Sequence, residues 1–504
     1  MKFSAKSSEF VKVEADVIAV FAYLGQKSEN IELSTEASKA DLVLKGILSE
    51  IVKNEEFEAK PGSVLLMHTH GKIPAKRVLL VGVGKLSALS MFDWQSAGAS
   101  IGRKSKEVKA ERLAVVIPGE ISEKFGAGKT AQGIVEGITL GTYTFKKHQS
   151  LETQKKDKVI SEVWLLVPPA RLAATVTGIN RGEITSEAVD WARDLVNEPP
   201  SLTTPAYLGE MAKALGESRR GIKVEVLGKE EMQKLGMNAL LAIARGSDEE
   251  PKFIKLDYDG GGRRTLCLVG KGITFDAGGL SLKKQESMET MKLDMAGAAA
   301  ILGIFKALPV LKPKLRVIGL IAATENMPGS KAVKPGDIVQ AMNGKTIEIL
   351  NTDAEGRVIL ADALSYAGKK CKPDLIIDLA TLTGACVVAL GEEIIGLFSN
   401  DQKLATELKA AALATGEKIW EMPLAPEYQE LLKSKVADFK NITGTRYGGA
   451  ITAALLLREF VPPNTPWAHL DIAGPAFQEK DAPLTPYGGT GCGVRLILEL
   501  LTRY

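Results

Sequence analysis

Short apolar runs alternate along the chain with longer segments that carry one apolar face. Val17–Phe21, Val78–Val81, Leu113–Ile117 and Val163–Val167 are rich in β-branched residues and read as buried strands. Helical periodicity fills the intervals near residues 34–53, 91–107 and 128–141. Strands and helices in alternation predict an α/β domain over residues 1–168, closed by Pro168-Pro169. Next, Ile184, Val189, Trp191, Ala192, Leu195 and Val196 fall on one helical face, and Asn197-Glu198-Pro199-Pro200 stops that helix because proline cannot continue it. It reads as a connecting helix that opens a second, larger domain spanning residues 169–504. There the strand candidates are Lys223–Leu227, Leu266–Val269, Leu315–Ile321 and Leu375–Leu379. The helix candidates are Ala296–Leu308, Val358–Ala367, Gln402–Ala414 and Ala450–Phe460. Strands that are apolar almost throughout belong in a sheet covered on both faces. The expected fold class is therefore α/β: a smaller N-terminal domain, a connecting helix, and a larger C-terminal domain with a central mixed sheet covered by helices.

Composition changes this picture little. The chain has 504 residues, 45% hydrophobic and 25% charged, with a net charge of +3. That length accommodates two or three domains, and the charge is too mild to argue for nucleic acid by itself. Cys267, Cys371, Cys386 and Cys492 are scattered and form no CxxC, so a zinc-finger or disulfide framework is not expected and a reducing compartment fits. No signal-type apolar core follows the N-terminus, and no apolar run reads as long enough to span a bilayer. A cytoplasmic protein with no membrane partner is expected.

Candidate chemistry gathers in the second domain. Asn351-Thr352-Asp353-Ala354-Glu355-Gly356-Arg357 holds two carboxylates and a guanidinium at alternate positions. In extended backbone these three would point to one side, with Gly356 allowing a sharp bend before a buried helix. A solvated acidic turn explains the heptapeptide alone equally well. A second stretch weighs against that. Lys271-Gly272-Ile273-Thr274-Phe275-Asp276-Ala277-Gly278-Gly279 continues to Lys283 directly after an apolar strand, and Asp294 follows in Met291-Lys292-Leu293-Asp294. Carboxylates at Asp276, Asp294, Asp353 and Glu355 would repel one another in so apolar a setting. Divalent metal ions resolve that repulsion, and oxygen ligands suit Mg, Mn or Zn. The remaining motifs are weaker. Gly82-Val83-Gly84-Lys85 fails as a phosphate loop, since Leu79 and Leu86 stand where Gly and Ser or Thr are needed. His68 and His70 lack further ligands. His469 has no second histidine beside it and reads as a packing residue. Lys104, Lys106, Lys109 and the Lys146–Lys158 run are weak basic clusters whose default is a solvated surface.

These motifs, with Asp194–Pro200 upstream and Gly491-Cys492-Gly493-Val494-Arg495 downstream, resemble the leucyl (cytosol) aminopeptidase family of two-metal exopeptidases. The N-terminal domain resembles that family in size and layout only. Ala296-Gly297 departs from an expected Gly-Gly pair by one methyl group. The resemblance implies two divalent ions per chain, Mn or Zn. It makes Lys271, Asp276, Asp294 and Glu355 ligands of one ion. It makes Asp276, Glu355 and Asp353, with the Asp353 main-chain oxygen, ligands of the other. Lys283 and Arg357 would be the catalytic cations, Arg357 holding a bicarbonate as general base. Met291, Thr381 and Ala473 would line the pocket for the first residue of a short peptide, favouring Leu and Met. Ala476 stands where some relatives have Met, which implies a deeper pocket. A homohexamer is implied as well, and some bacterial relatives also bind DNA. From the residues alone, another two-metal hydrolase such as a phosphoesterase remains an alternative.

Overall fold

The structure, a computed structural model, describes residues 1–25, 30–155 and 159–504. These divide into two compact units: Met1–Glu187 with Lys480–Pro486, and Ala188–Glu479 with Tyr487–Tyr504.

The first unit is built on strands β1 (Lys2–Lys6), β2 (Val17–Leu24), β3 (Ile31–Leu33), β4 (Val64–His68), β5 (Arg77–Gly82), β6 (Arg112–Val116) and β7 (Glu162–Leu166). They lie in the order β1-β7-β6-β2-β5-β4, with β3 paired to β2. From β1 to β5 neighbours along this path run parallel, and β4 and β3 are antiparallel to theirs. Side chains alternate between two cores, as a pleated strand requires. Phe21, Leu79 and Leu113 pack with Trp94 and Ile134 on one face. Val20, Leu80 and Val116 pack with Leu44 and Leu48 on the other. The four apolar runs are the four central strands. The strands without a sequence signal, β1, β3 and β4, have mixed burial, so no continuous apolar run marks them.

The amphipathic segment before Asn197 is the end of a longer helix, Leu172–Asn197. The boundary between the units falls inside it, after Glu187. Its first half is drawn close to the helix Ala127–Gly141 by glycine: a Cβ on Gly178 would lie 2.0 Å from the Gly128 carbonyl oxygen. This contact places residues 169–187 with the first unit, beyond the Pro168-Pro169 pair.

In the second unit the strands are β8 (Ile222–Leu227), β9 (Lys252–Asp259), β10 (Thr265–Asp276), β11 (Arg316–Asn326), β12 (Ile338–Gln340), β13 (Thr346–Glu348), β14 (Leu375–Ala380), β15 (Ile394–Ser399), β16 (Lys418–Glu421), β17 (Phe439–Lys440) and β18 (Trp467–Asp471), with a short antiparallel pair, β19 (Phe477–Gln478) and β20 (Gly488–Gly489). Eight form one sheet, in the order β16-β15-β18-β14-β10-β11-β9-β8, while β12, β13 and β17 form a small separate sheet. The centre, β18 to β11, is parallel, and antiparallel pairs flank it, so the sheet is mixed. The helices Ala296–Leu311, Gly356–Tyr366, Gln402–Thr415 and Gly449–Arg458 match the four expected from sequence to within a turn.

Strand β10 is longer than its apolar signal, running through Gly270-Lys271-Gly272 to Asp276. Glycine is required there because neighbours approach closely: a Cβ on Gly272 would lie 2.8 Å from the Ala322 carbonyl oxygen. Against β11 the register slips between Ile273 and Asp276, with Ile273 opposite Thr324 and Asp276 opposite Asn326. Lys271 and Asp276 are five residues apart and would face opposite sides of a regular strand. The one-residue slip re-aims Asp276 to the Lys271 side.

Helix Gly356–Tyr366 is buried throughout and anchored by Asp362. That carboxylate accepts the backbone N–H of Leu240 at 2.8 Å and of Met342 at 2.7 Å. The helical run 285–311 is long and apolar enough, by length and composition, to cross a bilayer, which the reading of short apolar runs overlooked. Most of it is buried inside the unit, and its apolarity is that of a core helix.

Candidate active site

Strand β10 delivers Lys271 and Asp276 to a cavity of about 510 Å³ at the carboxyl edge of the sheet. The turn 351–355 and the first turn of helix Gly356–Tyr366 add Asp353, Glu355 and Arg357, and the 3-10 turn Met291–Met295 adds Asp294. Lys283, Met291, Thr381 and Ala473 line the same cavity, so the ten residues expected as metal ligands, catalytic cations and pocket lining share it.

The route by which the heptapeptide converges differs from expectation. Glu355 has helical dihedrals, φ −77° and ψ −34°, and caps a helix that already contains Gly356 and Arg357. Convergence comes from a turn running into a helix, with no extended ladder. Gly356 serves close approach: a Cβ there would lie 2.7 Å from Lys271 Cε and 2.8 Å from its Nζ. The conformational demand falls instead on Gly278 (φ +88°) and Gly279 (φ +62°), which turn the chain after Asp276.

Charge pairing is dense. Lys271 Nζ donates to Asp294 Oδ1 at 2.8 Å and to the Thr381 carbonyl at 2.8 Å, and Glu355 Oε1 lies 2.9 Å away. Lys283 Nζ lies 2.9 Å from Asp276 Oδ2 and 2.5 Å from Asp353 Oδ1. Burial alone would lower the Lys271 pKa, but Asp294, Glu355 and Asp276 outweigh it and hold the ammonium above its ordinary range. Lys283 follows the same logic, burial opposed by Asp276 and Glu355. The carboxylates move the other way. Burial raises Asp294 and Glu355, and neighbouring acids raise them further against the pull of Lys271.

The pairing is also incomplete. Asp294 Oδ2 and Glu355 Oε2 are buried and have no hydrogen-bond partner among the described residues. Oxygens of Asp276, Asp353 and Glu355 all lie within 4.8 Å of one another. Each buried oxygen left without a donor costs about 1–3 kcal/mol, more when charged. Converging carboxylate oxygens suit a hard divalent cation, so the donor set fits the metal expected from sequence.

Arg357 is buried and donates from one terminal nitrogen to the Asn441 carbonyl at 2.8 Å. Its Nε has no partner among the described residues. Burial pulls the guanidinium down to about 10, against Glu355 and Asp471, and it stays charged at neutral pH. A charged edge with a free N–H beside the cavity fits a small oxyanion.

Several positioning residues carried no sequence signal, and one, Thr381, was expected only as pocket lining. Asn326 donates to Asp276 Oδ1 at 2.8 Å and to the Thr352 carbonyl at 3.0 Å. Asn441 accepts the Leu350 N–H at 2.8 Å and donates to the Asn351 carbonyl at 2.6 Å, pinning the heptapeptide turn. Thr381 donates from Oγ1 to Asp294 Oδ1 at 2.6 Å, which orients that carboxylate. Asp471 accepts from Leu382 N, Thr383 Oγ1 and Ala473 N, shaping the wall near Ala473. Lone polar residues in unrelated stretches show no pattern until the fold brings them together. Ala476 is buried and is not among the residues that line the cavity. His469 is fully buried with Nδ1 2.5 Å from Asp378, between Phe398 and Trp467. His68 and His70 are exposed and have no third ligand among the described residues. Lys104 is paired with Glu107 at 2.7 Å. In the Lys146–Lys158 run, residues 156–158 lie outside the described residues.

A mixed α/β sheet with a carboxylate and lysine cluster at the ends of its central strands defines a metal-dependent hydrolase. Residues 190–498 match the cytosol aminopeptidase family, catalytic domain, and residues 17–151 match the same family's N-terminal domain. A probable cytosol aminopeptidase of Alkaliphilus metalliredigens is 41% identical over 503 residues, covering 99% of this chain and 99% of the relative. One of Chlorobium limicola is 42% identical over 517 residues, covering 100% of both. Among solved structures, a tomato leucine aminopeptidase variant aligns with TM-score 0.88 at 35% identity, covering 100% of this chain and 97% of that one. The bottromycin maturation enzyme BotP in complex with Mn aligns with TM-score 0.84 at 34% identity, covering 97% and 99%. The chain belongs to the cytosol aminopeptidase family, and it is a metal-dependent aminopeptidase.

Gly356→Ala tests the close approach. The new methyl group must push the Lys271 side chain away from Glu355 and Asp294. We expect a fall in kcat of at least tenfold with little change in thermal midpoint; a fully active variant would show that Lys271 need not sit where it does.

Proposed function

We propose that the enzyme releases N-terminal residues, Leu and Met foremost, from short peptides at the β10 carboxyl edge. The observation that supports it most is the pair of unpartnered buried oxygens, Asp294 Oδ2 and Glu355 Oε2, beside the Asp276–Asp353–Glu355 cluster. Two divalent ions, Mn or Zn, fit this donor set. Lys271, Asp276, Asp294 and Glu355 would hold one. Asp276, Glu355 and Asp353, the last through side chain and main-chain oxygen, would hold the other. Bound there, such ions polarise a scissile carbonyl and lower the pKa of water.

The chain's own residues supply the rest. Lys283, kept charged by its acidic neighbours, donates toward the oxyanion that develops on the carbonyl. A donor of that kind is typically worth about 2.7–4 kcal/mol. Arg357, with its free Nε, would hold a bicarbonate, and such an ion would supply a general base for the attacking water. Met291 and Ala473 give the cavity wall an apolar surface for the first side chain, and Thr381 fixes Asp294. Glu392 and Glu479 also line the cavity and would repel an acidic side chain. A cytosolic location is supported by the relatives' common description.

The direct test is hydrolysis of leucine p-nitroanilide with Mn, Zn or a chelator present. Activity should disappear with chelator and return with metal, and kcat/KM should be at least tenfold higher for Leu than for Asp. Equal rates on Leu and Asp substrates would refute the pocket assignment.

Lys271 gives a sharper test. An ammonium has no lone pair, so as a ligand it must lose its proton. Metal content at its site should then fall as pH falls from 9 to 6. Lys271→Arg keeps a charge that cannot be shed and should exclude one ion per chain. Lys271→Met should do less harm. Two ions retained in the Arg variant, by metal analysis, would remove Lys271 from the ligand set.

We also infer a homohexamer, supported by the family resemblance and by large apolar side chains exposed on the second unit, among them Val388 and Tyr447. Light scattering should give six chains per particle; an active monomer would exclude it. No observation favours DNA binding over the peptidase reading.

A further inference from the structure

Asp276 and Asp353 arrive at the cavity on segments far apart in sequence, and something has to fix their spacing. Lys283 spans them, 2.9 Å from Asp276 Oδ2 and 2.5 Å from Asp353 Oδ1. In the proposed reaction Lys283 turns toward the oxyanion on the substrate. A second link is then needed, one that stays in place.

Asn326 provides it. This residue ends strand β11, and the slip in register sets it opposite Asp276, so both side chains stand on one face of the sheet. Its Nδ2 donates to Asp276 Oδ1 at 2.8 Å and to the Thr352 carbonyl, one residue before Asp353, at 3.0 Å. Neither acceptor carries a proton, so the amide nitrogen faces them and uses both its hydrogens. The Gly278 N–H also reaches Asp276 Oδ1, at 2.9 Å, and Oδ2 is left facing Lys283. Thr352 is tied in turn to the loop after Asp276. Its Oγ1 donates to the Gly278 carbonyl at 2.6 Å and accepts the Ser281 N–H at 2.8 Å. That loop packs directly on the amide: a Cβ on Gly279 would lie 2.8 Å from Asn326 Oδ1. Asn326 is 1% exposed and Thr352 fully buried, so an acceptor deprived of this donor finds no bulk water to replace it. The other acidic group is fixed separately. Thr381 Oγ1 orients Asp294, and Lys271 joins Asp294, Glu355 and the Thr381 carbonyl. Asn326 donates to none of these.

We propose that Asn326 is the positioning residue that sets the separation of Asp276 from Asp353, and with it the affinity for the ion that those two carboxylates share with Glu355. The inference rests on the two-ion reading above. Without the amide, Asp276 and the turn 351–355 drift apart, and the shared ion loses a ligand on one side. The other ion keeps Lys271, Asp294 and Glu355, none of which leans on Asn326. Partners that orient metal ligands in this way are typically worth about 10–100-fold in metal affinity.

The test is calorimetric titration of the chelator-treated, full-length enzyme with manganese chloride. Asn326→Leu keeps the size of the side chain and removes both donated bonds. Its second manganese equivalent should bind at least tenfold more weakly than in the parent, and its first within threefold. With leucine p-nitroanilide, activity should collapse at limiting manganese and return to within threefold of the parent kcat at saturating manganese, with KM unchanged. General structural damage would lower kcat at every manganese concentration. Asn326→Ser, whose shorter arm cannot reach both acceptors, decides the matter if the Leu variant does not fold: its second equivalent should weaken severalfold and its first stay unchanged. Parent-like isotherms in the variants, equal weakening of both equivalents, or a kcat still tenfold down with both ions bound would overturn the proposal. Failure of the two-ion reading shows separately, in the parent: absence of paired manganese binding there removes that reading and this inference together.

Discussion

The catalytic unit depends on a balance of buried charge at one end of one strand. Four carboxylates, Asp276, Asp294, Asp353 and Glu355, are held together by two ammonium groups, Lys271 and Lys283. Removing one partner from a buried pair typically costs about 3–5 kcal/mol, because the other is stranded without solvent. The lysines therefore make the acidic cluster foldable before any cation arrives. They do so incompletely, since two carboxylate oxygens keep no donor. A cluster fully neutralised by lysine would have no affinity left for metal; one without lysine would be too costly to bury. Binding of two dications would in turn make a protonated Lys271 the misplaced charge, which agrees with its assignment as a ligand that sheds its proton.

Backbone irregularity makes this balance geometrically feasible. The slip in register before Asp276 turns that carboxylate to the Lys271 face. Gly356 and Gly297 then let two other segments close on the lysine, a Cβ at Gly297 falling 2.9 Å from Lys271 N and 2.2 Å from the Leu379 carbonyl oxygen. The methyl group of Ala296, one residue earlier, meets no such obstacle: it is buried beside the cavity without lining it. The glycine that matters in that pair is the second, and it is the one this chain keeps.

How much of this could be read from sequence follows from the range of each interaction. Central strands and long helices announce themselves because burial on both faces leaves continuous apolar runs, as in Leu266–Val269 and Ala296–Leu308. Edge strands such as Lys2–Lys6 carry no such run and were invisible. The charged residues that share the cavity were legible as motifs, since each segment concentrates its charged groups within a few positions. Their mechanism of convergence was not. An extended ladder through Asp353, Glu355 and Arg357 is the simplest local reading, and the chain instead turns and begins a helix at that point. Asn326 and Asn441 were out of reach altogether: each acts across more than twenty residues of sequence on a backbone or carboxylate it does not resemble.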